Sequence, residues 1–160
     1  MVRCQIIRDL TKSTGTRKSF QPLGREVVFT AKAIRSSFEQ VLARAGGSLG
    51  TWIVLNALSD EGVVSQTAIA GHARVEGATI THHIDRLEAA GLVRRTLDPA
   101  DRRVRRIELT AEGVALHRRL LGEARRFEAM VFDGIDEAER AELRRLLAHV
   151  RANVEAAPPG

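Results

Sequence analysis

The sequence predicts a mainly α-helical chain with one small β-hairpin, and three patterns carry that reading. Apolar residues recur every three or four positions over the long stretches 23–45, 110–132 and 136–154, as they do along one face of an amphipathic helix. Residues 48–90 break instead into shorter helical patterns separated by turn signals. Two β-biased runs, 92–97 and 104–109, flank the six-residue loop Asp98-Pro99-Ala100-Asp101-Arg102-Arg103.

Residues 1–21 mix Arg3, Arg8, Lys12, Arg17 and Lys18 with Ser, Thr and Gly, lack periodicity, and end at Pro22, which reads as a basic flexible arm. In the first long helix Val27, Ala31, Ile34, Phe38, Val41 and Ala45 form a narrow seam, and Gly46-Gly47 stops it. Ser48 caps a second helix to about Ser59, in which Leu49, Trp52, Ile53, Leu55 and Leu58 make a broad apolar face. After the turn Asp60-Glu61-Gly62, Val63-Val64 fits a very short strand, and Ser65 caps a third helix, Gln66 to His72. A three-residue link leads to a fourth helix, Glu76 to Ala90, closed by Gly91. Two short helices so joined are the helix-turn-helix arrangement, and the hairpin that follows is its exposed wing. Thr110 caps the next long helix, with Leu116, Leu120, Ala124, Phe127 and Val131 in its seam. Asp136-Glu137-Ala138-Glu139 then gives a capping box for a last helix lined by Leu143, Leu146, Leu147, Val150 and Val154.

The expected organisation is an arm (1–21), one domain (22–155) and a frayed tail (156–160). Within the domain, 22–47 and 110–155 are long pairing helices, and 48–109 is a winged helix-turn-helix module. Three long amphipathic helices carry more apolar stripe than so small a module covers, which predicts a homodimer.

Charge is unevenly spread. The formal total is +5, but residues 1–50 carry +6, 51–93 carry −3, 94–106 carry +4 and 107–160 carry −2. Six arginines (94, 95, 102, 103, 105, 106) against Asp98 and Asp101 suit a polyanion. Only three cations are lysine, which favours bidentate phosphate or base contacts and equally fits an arginine-rich genome.

On a wheel of about 100° per residue with Ile80 at zero, Ile84 and Leu87 complete a buried stripe, while Thr79, His82 and Arg86 fall at about 260°, 200° and 240°. Hydroxyl, imidazole and guanidinium groups are the chemistry that base reading requires, which points to double-stranded DNA. In the loop, Arg102 and Arg103 can reach phosphates or a narrow minor groove; Asp101 can hold the Arg103 guanidinium in a fixed pose, and Pro99 stiffens the turn.

Other chemistries find little support. Adjacent His82 and His83 point about 100° apart and cannot readily share an ion, so no metal site is expected. No nucleophile-and-base grouping or phosphate-cradling glycine loop occurs, so neither enzymatic activity nor a cofactor is expected. The lone Cys4 excludes an internal disulfide. No signal peptide or run of 18 apolar residues is seen, and a soluble, cytoplasmic protein without a membrane partner is the expectation.

Leu87-Glu88-Ala89-Ala90-Gly91-Leu92-Val93-Arg94-Arg95, the loop 98–103, and Leu109-Thr110-Ala111-Glu112-Gly113 together resemble the signature of MarR-family (multiple antibiotic resistance) transcriptional regulators. The helix order resembles that family from about Leu23 to Val154. The resemblance implies a winged helix-turn-helix dimer that represses promoters and releases its pseudo-palindromic operator when a small aromatic or lipophilic effector, or an oxidant, acts on it. Carried over by position, Ser65 and Gln66 would touch backbone. Thr79, Thr81, His82 and Arg86 would lie in or beside the major groove, and Arg103 would enter the minor groove braced by Asp101. Effectors of the family bind where the long helices meet the module, and the apolar residues near that junction are Phe29, Phe38, Trp52 and Leu55, which an ordinary core would use as well. Two departures stand out: Glu76-Gly77-Ala78 replaces a frequent Ser-Pro-Ser, and Cys4 lies ahead of the helix that carries the cysteine of peroxide sensors, which disfavours an oxidant switch. Glu76 and the −3 of residues 51–93 keep open a protein-interaction or assembly module that uses the fold without reading bases.

Overall fold

The computed structural model describes residues 22–60, 65–73, 77–97 and 105–156. The arm with Cys4, the expected strand at Val63-Val64, Glu76, the loop from Asp98 to Val104 and residues 157–160 lie outside the described residues. The elements run α1 (Leu23–Arg44), α2 (Leu49–Leu58), α3 (Gln66–Ala73), α4 (Gly77–Ala89), β1 (Val93–Leu97), β2 (Arg105–Leu109), α5 (Ala111–Val131) and α6 (Glu137–Glu155). Each falls within a residue of its sequence expectation. The reason is local: the helix starts are written in their caps. Ser48 Oγ accepts from the Thr51 N–H at 3.2 Å, Ser65 Oγ from Ala68 at 3.2 Å and Thr110 Oγ1 from Gly113 at 3.0 Å. Asp136 and Glu139 form the complete capping box, both bonds at 2.9 Å.

The chain divides into two units at Arg35 and Ser36. Before that point the described residues are exposed apart from Ile34, and the Arg25 guanidinium lies 5.2 Å over the Phe29 ring. In the second unit one core joins Leu42, Val54, Leu55, Ile69, Ile80, Ile84, Leu87, Val93, Ile107, Leu116 and Leu120. Leu42 corrects the seam expected for α1. It is fully buried, whereas Val41, one step round the helix, is only half-buried. A seam counted at strict steps of three and four follows one line of the helix and misses a neighbour that turns toward the module.

β1 and β2 pair antiparallel in the register Val93↔Leu109, Arg95↔Ile107 and Leu97↔Arg105. Val93 and Ile107 are buried, and Leu97 is exposed. The hairpin is anchored at its base. Gly91, with φ +69°, ends α4, and the Leu92 N–H returns to the Leu87 carbonyl at 2.9 Å. The Thr110 N–H then donates to the Leu92 carbonyl at 3.1 Å, and its hydroxyl to the Gly91 carbonyl at 2.7 Å. Gly113, one turn into α5, packs so closely that a Cβ there would stand 2.0 Å from the Leu92 carbonyl oxygen.

Two histidines are packing residues. The His83 ring lies against Gly50, whose Cβ would meet it at 2.3 Å, and His117 stacks on Trp52 with ring centres 6.0 Å apart. Burial lowers both pKa values; electrostatic repulsion from neighbouring His82 and Arg86 lowers that of His83 further, and Asp60 partly opposes the shift at His117. Among the described residues no single helix is long and apolar enough to cross a membrane.

Two predictions rest on this packing. Gly113→Ala loses about 1 to 3 kcal/mol of stability in urea unfolding. Gly122→Ala, whose Cβ meets only the end of Arg126 at 3.9 Å, instead gains up to about 1 kcal/mol; equal losses at the two positions would show that the close approach does not matter. Both histidines bind a proton less readily folded than unfolded, so the unfolded chain holds more protons below the ordinary value of 6.5. Stability is therefore level above that pH and falls as the pH drops through it. His117→Leu makes the fall in melting temperature between about pH 7.5 and 5.5 shallower, and an unchanged fall assigns it to other groups.

Candidate nucleic-acid interface

The helix-turn-helix pair is held from inside. Ile80, Ile84 and Leu87 bury one side of α4, as the wheel predicts, and Ile69 of α3 joins them. Gln66 on α3 donates through Nε2 to Thr81 Oγ1 on α4, so these two candidate residues meet one another and tie the helices together. Ser65 caps α3 and is half-buried. On the opposite side of α4, Thr79, His82 and Arg86 are exposed in a row one turn apart, with Asp85 beside them. The His82 and His83 rings are 6.1 Å apart and tilted by 48°. Among the described residues no three His, Cys, Asp or Glu side chains gather as a metal site would. Asp101, Arg102 and Arg103 lie outside the described residues.

The arginine cluster is less free than its count implies. Arg94 Nη2 pairs with Glu108 on β2 at 2.8 Å. Arg95 pairs with both Asp85, at 2.5 Å, and Glu88 on α4. Three carboxylates outside the window 94–106 thus bring its formal +4 to +1. The hydrogen bond to Asp85, then that to Glu88, raises the Arg95 pKa against the opposing effect of burial. Sequence counting missed this because the partners stand ten and seven residues away. The available signal is the period of two, which puts Arg95 on the Val93 face of the strand.

Of the four apolar candidates near the junction, Phe38, Trp52 and Leu55 belong to the second unit and Phe29 to the first. Trp52 and Phe38 meet edge to face at 6.0 Å, and Phe38 packs on Phe127 at 5.1 Å. Leu55 is sealed in the core, and Phe29 is 54% exposed in the first unit. Trp52 instead borders an open cleft of about 450 Å³ with Leu121, Ala124, Arg125, Glu128 and Arg140. Arg140 is pre-set there by bonds to the carbonyls of Ile135 at 2.8 Å and Phe132 at 2.6 Å. Beside the cleft, His117 Nε2 is buried with no hydrogen-bond partner among the described residues. Apart from Ala124, which the seam included, these α5 and α6 side chains were absent from the sequence expectation, although His117, Leu121 and Arg125 recur at steps of four.

The MarR family model matches residues 48–104. The chain is 35% identical over 91 residues to the transcriptional regulator PecS of Dickeya dadantii, across 57% of this chain and 55% of PecS, so it spans only about half of that relative. It is 30% identical over 119 residues to the transcriptional repressor IacR of Pseudomonas putida, across 74% of this chain and 71% of IacR. A solved structure of Bordetella bronchiseptica BpsR, whose DNA binding is regulated by 6-hydroxynicotinic acid, superposes with a TM-score of 0.72 at 27% identity, across 86% of this chain and 96% of BpsR. With the helix order, the hairpin and these relatives in agreement, the chain belongs to the MarR family of winged helix-turn-helix transcriptional regulators.

Proposed function

We propose that this chain is a cytoplasmic homodimeric repressor that reads a pseudo-palindromic duplex and releases it when a small aromatic acid binds. The observation that carries the reading is the division of α4. One side is locked by Ile80, Ile84, Leu87 and the Gln66–Thr81 bond, while Thr79, His82 and Arg86 stand free in a row. A helix held from behind can present donors and acceptors to base edges without first paying to order itself. Ser65 would meet the phosphate backbone, with Arg102 and Arg103 reaching it from the wing. Gln66 and Thr81 would serve that reading by fixing α3 against α4.

Pairing is supported by α6, which buries no residue within one chain. Leu143, Leu146, Leu147, Val150 and Val154 are 36 to 70% exposed along one side. Such a stripe suits a second copy, and two-fold pairing would set two copies of α4 about 34 Å apart, one turn of DNA. The Trp52 cleft offers an aromatic floor with Arg125 and Arg140 at its edge, which suits a ring bearing a carboxylate, the chemistry that 6-hydroxynicotinic acid brings to BpsR.

A second reading, an assembly module that does not read bases, draws on the internal pairing of Arg94 and Arg95. Footprinting on the DNA flanking the chain's own gene separates the two. A repressor protects a two-fold site and its affinity falls steeply with salt, whereas the assembly module protects none. Arg103→Ala then weakens binding to every sequence, while Arg86→Ala or His82→Ala costs about 1 to 3 kcal/mol at particular base pairs and relaxes preference there. Leu146→Asp with Leu147→Asp yields a monomer by light scattering; a persistent dimer would place the interface elsewhere. Because Trp52 is the only tryptophan, its emission reports the cleft directly. Aromatic acids that free the operator quench it, and release without quenching moves the effector to another site.

A further inference from the structure

Alternation along β1 puts Val93, Arg95 and Leu97 on one face. Val93 enters the core, and Arg95 occupies the next inward position, where an apolar residue would ordinarily stand. Its side chain is only 20% exposed because it runs to α4. Nη2 donates to Asp85 Oδ1 at 2.5 Å, Nη1 donates to Glu88 Oε2, and the Arg95 backbone N–H donates to Glu88 Oε1 at 3.2 Å. Asp85 and Glu88 are three residues apart and so project from the same side of α4, at a spacing that the planar guanidinium fork can span. The backbone bond means that the strand itself is tied, along with its side chain.

Asp85 is also 57% exposed beside the row Thr79, His82 and Arg86. An unpaired carboxylate there would repel phosphate. Arg95 therefore has two separable effects, one of charge and one of geometry.

We propose that Arg95 is a positioning residue: clamped between Asp85 and Glu88, it fixes the hairpin against α4 and so sets the register between the bases α4 reads and the flanking base pairs the hairpin reaches. The inference rests on the DNA-reading function proposed above and adds to it a determinant of flank specificity that touches no DNA itself. A lysine at position 95 keeps the positive charge but loses the two-pronged bridge. Paired truncation of Asp85 and Glu88 to alanine removes the bridge together with the repulsion, whereas amide replacements would leave oxygens that still accept from the guanidinium.

The test uses the full chain and a randomised duplex library, with bound sequences counted for the wild type, Arg95→Lys and the double variant Asp85→Ala/Glu88→Ala. Thermal melting of each protein is followed alongside. The expected result is that both variants keep the wild-type half-site consensus, with affinity for it within about threefold, and lose about tenfold of discrimination at the flanking base pairs. A merely structural role predicts equal loss at half-site and flank, and that result, or an unchanged flank preference in both variants, overturns the proposal. Should Arg95→Lys melt below the assay temperature, the double variant decides alone, since Asp85 is exposed, Glu88 is only half-buried, and alanine favours the helix at both positions. A wild type that enriches no sequence would instead overturn the DNA-reading function, and the clamp's proposed role with it.

Discussion

Two hydrogen bonds and the missing side chain of Gly113 join the end of α4 to the start of α5. Thr110 donates through its backbone and its hydroxyl to the carbonyls of Leu92 and Gly91, and the bare Cα of Gly113 lets α5 close onto Leu92. The same Thr110 oxygen caps α5. One residue thus satisfies carbonyls at the helix end, holds the hairpin base and starts the long helix, so none of the three can shift without breaking bonds that belong to the others. A hydrogen bond of this kind contributes only about 0.5 to 1.5 kcal/mol net, but the three made by Thr110 share one residue, which makes the joint stiff compared with an ordinary loop.

That stiffness gives the surface charges their meaning. Exposed ion pairs contribute little to stability by themselves, because water screens them and long side chains lose freedom in forming them. The Arg94–Glu108 pair is of this kind. Arg95 differs because it is largely enclosed and bonded to two carboxylates of a helix whose end is already fixed by the joint. A tie between two elements meeting at a stiff corner controls the angle between them even where it adds little net stability. The basic character of the window 94–106 is thus partly internal scaffolding, since Arg94 and Arg95 are paired within the chain.

The parts legible in the sequence are those governed by neighbours along the chain. Ser48, Ser65, Thr110 and Asp136 announced their helices because a cap acts within three residues, and the buried stripe Ile80, Ile84, Leu87 followed from helical periodicity. The missed parts depend on distance in space. Arg95 and its partners, Leu42 turning into the module, and the cleft side chains Arg125, Glu128 and Arg140 are set by which helix lies against which, and no local pattern records that. Leu55 shows the converse ambiguity: an apolar residue near a junction reads equally as pocket wall or core, and its full burial comes from packing that no local pattern records.

In the proposed homodimer the cleft and the joint share α5. Trp52 belongs to α2, the other lining residues named above to α5 and α6, and α5 begins at the bonds that hold the end of α4. A ligand seated there acts on a body to which the reading helix is already fixed, so any shift it favours in α5 is carried to α4. Binding alone is not enough, since a ligand of equal affinity for both spacings of the two reading helices moves no population. Reversing a preference of about 99 to 1 takes roughly 5.5 kcal/mol, or about 2.8 from each of two clefts. At about 25 cal/mol per Å² that equals some 110 Å² of apolar surface covered in one spacing and not in the other, an area within the reach of a single aromatic ring, which buries of the order of 150 Å² or more when fully enclosed. An open cleft over an aromatic floor is therefore sufficient for the switch, provided that the released spacing closes it around the ligand and the DNA-bound spacing leaves it open.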